Sequence, residues 1–169
     1  MRFHAKFVLP GVPPTATAQQ KGAFVIPGTN RIRFYTKKEV RQAENTWHAM
    51  LLPHRHESGA TIEGPVALGI LMVFPYTASL PKRVTAAGRY VPLDKRPDID
   101  NLIKSLLDTM TQMQFWRDDG QLYGATLYKF RGAEPRTEIT VWLPDAESSP
   151  MLSPPPLECD GQGLLEGLF

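Results

Sequence analysis

The sequence predicts an α+β fold: one mixed β-sheet of about four to six strands with two main helices packed on it. Three observations predict it. Residues 65–76 form a near-continuous apolar run of strand length, as a central strand covered on both faces requires. Residues 2–9 and 137–143 alternate apolar and polar side chains, the period of a strand with one face buried. Residues 36–52 and 99–113 repeat apolar side chains at three- and four-residue steps, the stripe of an amphipathic helix.

In chain order, the first strand puts Phe3, Ala5, Phe7 and Leu9 on one face. A loop rich in Pro, Thr and Gln follows over residues 11–21. Residues 23–26 and 32–35 are short strands around Pro27-Gly28-Thr29-Asn30, a hairpin carrying Arg31 and Arg33. Thr36 and Glu39 have the spacing of a capping box that starts the first helix, and Pro53 ends it. Its buried stripe is Val40, Ala43, Trp47, Met50 and Leu51. Lys37, Lys38 and Arg41 crowd its first turn against the helix dipole, a small cost that a bound anion would offset. Residues 77–94 form a long connection through Lys82, Arg83 and Arg89 that leads into Lys95 and Arg96. A connection of that length without structure is functional or disordered. Beyond the second helix, residues 121–130 and 137–143 are strands joined as a hairpin at Gly132-Ala133-Glu134-Pro135.

The 169 residues, 42% hydrophobic and 21% charged, suit one domain with its own core, placed at residues 1–143. Residues 144–169 hold Pro150 and Pro154-Pro155-Pro156 among Ser and Gly, the composition of an acidic, disordered tail. Charge divides at the same point. Residues 1–143 carry all 19 Lys and Arg against 12 Asp and Glu, a net +7, whereas the tail carries five acids and no base. A basic body favours polyanionic partners. Cys159 is the single cysteine, so no intrachain disulfide forms, and no apolar run reaches bilayer length. Both features suit a cytoplasmic protein without membrane contact.

Residues 96–121 carry the chemistry. They hold five of the 17 acidic residues and one lysine. Pro97 keeps Arg96 out of the helix, so Asp98 and Asp100 fall at its mouth with Lys104 one turn in. Asp100, Lys104 and Asp108 share a face, and Asp118 and Asp119 follow beyond the far end. Unneutralised carboxylates this close repel one another. A divalent cation removes that cost, and Mg²⁺ binds through a few carboxylates plus substrate phosphate oxygens. Phosphodiester hydrolysis uses such a site: the cation polarises the phosphate and acidifies a water, and a lysine stabilises the developing charge. Taken singly, the residues have plainer uses. Asp98 or Asp100 serves as an N-cap, Asp100–Lys104 as an exposed ion pair worth about 0.3–0.5 kcal/mol, and Asp118-Asp119-Gly120 as a turn. Their concurrence favours the metal centre.

The pattern Asp98-x-Asp100-Asn101-Leu102-x-Lys104, then Asp108, then Phe115-Trp116-x-Asp118-Asp119-x-Gln121 resembles the RusA family of crossover-junction endodeoxyribonucleases of bacteria and phages. Phe7-Val8-Leu9-Pro10 with Pro13-Pro14 resembles that family's first strand and proline pair, while residues 144–169 have no counterpart. The resemblance implies a metal-dependent endonuclease that resolves Holliday junctions or related branched DNA by symmetric cleavage, as a homodimer. It implies Asp98, Asp100 and Asp119 as ligands of Mg²⁺, with Mn²⁺ as the alternative, and Lys104 as the catalytic lysine. Asn101 and Asp118 match motif positions and are assigned supporting roles. Arg83, Lys95, Arg96 and Arg117 are candidate phosphate contacts, and residues 77–94 a DNA-contacting loop. Two other readings stay open: a DNA-structure-binding protein that does not cut, and a nuclease of flaps, nicks or RNA. Residues 162–169, a Gln followed by spaced Leu and a terminal Leu-Phe, are similar to short peptides that dock on sliding clamps. A small helix folded back on the body is the competing reading of that end.

Overall fold

The structure, a computed structural model, describes residues 2–16, 21–55 and 60–144. Its elements in chain order are β1 (Arg2–Pro10), β2 (Lys21–Val25), β3 (Ile32–Thr36), α1 (Lys38–Leu51), β4 (Val66–Pro75), α2 (Lys82–Ala86), β5 (Val91–Pro92), α3 (Ile99–Gln112), β6 (Leu122–Gly132) and β7 (Arg136–Leu143). The expected α+β class and mixed sheet are those found. The chain divides into two units, one from Met1–Pro13, Ile62–Arg96 and Arg117–Phe169, the other from Pro14–Thr61 and Pro97–Trp116. Residues 145–169, including the 162–169 motif and nearly all of the expected tail, lie outside the described residues.

The first unit is the five-stranded sheet, in the order β1-β7-β4-β6-β5. β4 runs parallel to β6 and antiparallel to β7, and the outer pairs are antiparallel. As its apolar run predicts, β4 is central and buried from Val66 to Phe74. The expected hairpin of β6 and β7 is not formed, because β4 lies between them. Their connection must cross two strand spacings, about 9.6 Å, which three extended residues can reach. Gly132 permits the crossing: a Cβ there would meet Val73 Cγ1 at 2.7 Å and the Tyr90 ring at 3.0 Å.

Against one face, Tyr90 packs on buried Leu71, Val73 and Phe130. Beside them Glu138 accepts from Arg136 Nε at 2.7 Å and pairs with Lys6 Nζ at 3.4 Å. Arg136 Nη2 donates to the Tyr90 hydroxyl at 2.6 Å. Burial alone would lower the Arg136 pKa, but the hydrogen bonds to Tyr90 and Glu138 outweigh it and raise the value. Residues 77–94 are not the structureless connection their length suggested; they hold α2 and β5. Tyr76 ties them down, donating its hydroxyl to the Arg89 carbonyl at 2.6 Å, and burial, then Tyr90, raises its pKa. The Leu93 amide donates a hydrogen bond to the Lys129 carbonyl at 3.1 Å.

The second unit holds the β2–β3 ribbon, antiparallel as expected, and α1 and α3 packed on each other. α1 buries Val40, Ala43, Trp47 and Leu51. The expected capping box at Thr36 is absent. Thr36 pairs with Lys21 as the last residue of β3, so Lys37 becomes the N-cap and makes no side-chain cap bond. α3 buries Leu102, Ser105, Leu106, Thr109 and Met110, a continuous i, i+3, i+4 stripe. Beyond it, Gln114 takes a left-handed φ of 62°, and Trp116 Nε1 donates to Thr111 Oγ1 at 2.7 Å. Among the described residues no helix is long and apolar enough to cross a membrane.

Candidate metal centre

α3 starts where Pro97 requires. Asp98 is its N-cap, with φ −71° and ψ 139°, and its carbonyl accepts the Leu102 amide at 3.1 Å. The Asp98 side chain makes no capping hydrogen bond, so the plain capping role is not taken. Asp100 lies in the first turn, where the helix dipole favours a carboxylate by about 0.3–1 kcal/mol. Asp98, Asp100 and Lys104 are exposed, and among the described residues none has a side-chain partner. The plain Asp100–Lys104 ion pair is therefore not formed. Asp108, one turn further, is half-buried and engaged, so it does not continue that exposed face. Asn101 is half-buried, and its Oδ1 is shut off from solvent with no hydrogen-bond partner. An orphaned acceptor of that kind costs about 1–3 kcal/mol.

The acidic turn is built by its neighbours. Asp118 Oδ1 accepts the Gly120 amide at 2.7 Å. Gln121 Oε1 accepts the amides of Arg117 at 2.7 Å and Asp118 at 3.0 Å. Gln121 Nε2 donates to the carbonyls of Ile62 at 3.0 Å and Gly64 at 2.7 Å, just ahead of β4. One primary amide thus ties the turn to the entry of the central strand. Asp118 is part of this frame. Asp119 is exposed and opens a one-turn 3₁₀ helix, Asp119–Gln121.

Asp98 and Asp100 belong to the second unit and Asp119 to the first. Among the described residues no three His, Cys, Asp or Glu are grouped so as to hold a metal ion. In kind, the donors at α3 fit a hard dication: two unpaired carboxylates and an unsatisfied amide oxygen, with no nitrogen or sulfur ligand among them.

The candidate phosphate contacts differ from one another. Arg83 on α2, and Lys95 and Arg96 ahead of α3, are exposed without an ion-pair partner among the described residues. Arg117 is instead paired with Glu63 at 3.1 Å, with both side chains nearly four-fifths exposed. Such a pair is worth at most about 1 kcal/mol. Sequence reasoning did not assign a role to Gln121, although it stands in the motif, and did not find Glu63.

The family model for the endodeoxyribonuclease RusA matches residues 11–142. The chain belongs to this family of hydrolases acting on DNA phosphodiester bonds, as the sequence motif implied. Among curated relatives, the crossover junction endodeoxyribonuclease RusA of Lactococcus phage r1t is 28% identical over 141 residues, covering 83% of this chain and 98% of that protein. The uncharacterized protein YqaN of Bacillus subtilis is 27% identical over 99 residues, 56% of this chain and 68% of its own length.

Proposed function

We propose that this protein is a divalent-metal-dependent endonuclease that resolves Holliday junctions or related branched DNA by symmetric cleavage, acting as a homodimer. One observation carries the reading: Asp98 and Asp100 stand unpaired and exposed at the start of α3, with Lys104 equally unpaired one turn in. Membership of an endodeoxyribonuclease family supports the reaction, and the phage relative, a crossover-junction enzyme by name, supports the substrate. Asp98, Asp100 and Asp119 would hold Mg²⁺, or Mn²⁺ in its place. When bound, the cation polarises the scissile phosphate and lowers the pKa of a water. Lys104 presents its ammonium to the charge that develops on the phosphate oxygens. Asn101, half-buried next to Asp100 in the first turn of α3, takes a supporting role. Asp118, held with Gln121, keeps the loop of Asp119 in one conformation. Arg83, Lys95 and Arg96 take backbone phosphates, and Arg117 does so by exchanging its weak pair with Glu63. Cuts at two symmetric positions need two centres related by a two-fold axis, hence the homodimer.

The Asp100→Asn variant tests this on matched four-way, flap and duplex DNAs. In Mg²⁺ it is expected to bind the four-way junction as the parent does and to cut it about a hundredfold more slowly or worse. Chelation by EDTA is expected to stop the parent enzyme in the same way. Full cleavage by Asp100→Asn would remove Asp100 from the site, and equal cleavage of all three DNAs by the parent would remove the junction.

A further inference from the structure

The β2–β3 ribbon exposes apolar side chains on both faces, and a two-stranded ribbon in water is marginal at best. Its register sets the faces. Gly22 pairs with Tyr35 and Phe24 with Arg33, so these four share one face, while Ala23–Phe34 and Val25–Ile32 make the other. On the first face the Tyr35 ring lies over Gly22, where any Cβ would collide with it. Tyr35 and Phe24, 50% and 46% exposed, have their ring centroids 6.2 Å apart. Arg31 and Arg33 on the ribbon, and Lys37, Lys38 and Arg41 around the start of α1, are exposed. Among the described residues none of these five has an ion-pair partner. Glu39 is the only acid between residues 21 and 43.

Cations gathered at a helix N-terminus are unfavourable unless an anion joins them. Two neighbouring rings held open to water lack only a flat apolar partner. One ligand supplies both, a nucleic-acid strand with an unpaired base: phosphates for the cations and a π-face for the rings. We propose that the β2–β3 ribbon is a strand-engaging arm, with Phe24 and Tyr35 stacking on unpaired bases at a DNA branch point and the neighbouring cations holding the flanking phosphates. The arm uses none of Asp98, Asp100 and Lys104. It rests on the proposed function only for the branched substrate. Fully paired duplex has no base free to stack, so the arm distinguishes branched DNA from continuous duplex.

The test uses the full chain in EDTA, where no DNA is cut. The probes are a four-way junction with 2-aminopurine at the branch, a 2-aminopurine single strand and a matched duplex. The parent is expected to change the fluorescence of the first two and not the third. The Phe24→Leu/Tyr35→Leu pair is expected to abolish that change and to weaken junction and single-strand binding about tenfold, with duplex affinity held within about twofold. Gly22→Val, which displaces the Tyr35 ring while keeping both aromatics, should act in the same direction. Equal loss on all three DNAs, or no loss on any, would overturn the arm. So would conversion of a dimeric parent to monomer by either variant in sedimentation, which assigns the ribbon to subunit pairing. A parent that shows the signal on the single strand but ignores the junction would sink the junction reading and leave the arm standing.

Discussion

A single amide side chain, Gln121, fixes the turn that presents Asp119. Its four hydrogen bonds reach Arg117 and Asp118 on one side and Ile62 and Gly64 on the other. Each bond is worth about 0.5–1.5 kcal/mol net, and the carbonyls left behind would lose a donor. Gln121→Leu is therefore expected to lower stability by about 2–3 kcal/mol, read as a shift in urea midpoint at unchanged m-value. Gln121→Glu should cost a similar amount, because it keeps both acceptors but turns a carboxylate oxygen toward two carbonyls. A loss under about 0.5 kcal/mol in both variants would show that the turn holds itself. Nothing local in the sequence announces this role, since the partners stand 59 and 57 residues away. The place of Asp98 and Asp100 at the start of α3 was legible for the opposite reason. Pro97 and the apolar period of α3 are within a few residues of them and fix where the helix starts.

The same division between local and distant causes runs through the elements. β4 follows from its apolar run and α1 and α3 from periodicity, each within its own window, and the structure has them within a few residues of the expected bounds. Thr36 fails as a cap because pairing across the ribbon claims its backbone first. Residues 77–94 fail as an open loop because Tyr76 and Leu93 anchor them to Arg89 and Lys129. The β6–β7 turn carries every mark of a hairpin, and only the insertion of β4, from some 50 residues upstream, overrides it. Gly132 is the residue that this insertion makes costly to change. Gly132→Val is expected to destabilise by about 1–3 kcal/mol through overlap with Val73 and Tyr90. Gly132→Ala should lose less, since its single methyl asks less of the Tyr90 ring. A Gly132→Val chain as stable as the parent in urea would mean that Tyr90 leaves its place on Phe130 at no cost.

At the scale of the whole molecule, composition shows a net +7 over residues 1–143 but not which cations are spent on the fold. Lys6 and Arg136 are engaged by Glu138, and Lys129 and Arg131 by the Lys95 and Pro75 carbonyls. Arg83, Lys95, Arg96 and the cations of the ribbon and α1 are left exposed without ion pairs among the described residues, and their charge is open to a polyanion. Against that field the chain carries its own polyanion, since residues 145–169 hold five acids and no base. A linked polyanion competes with DNA phosphate for the same cations, and salt screens the competition. Truncation after Pro144 takes the formal charge from +2 to +7. The shortened chain is expected to bind duplex DNA several-fold more tightly than the full chain at about 50 mM salt, as measured by fluorescence anisotropy in EDTA. The gap should close toward about 1 M salt, where the Debye length falls to about 3 Å. Equal affinities at low salt would mean that the tail's carboxylates never reach the basic surface and serve solubility alone.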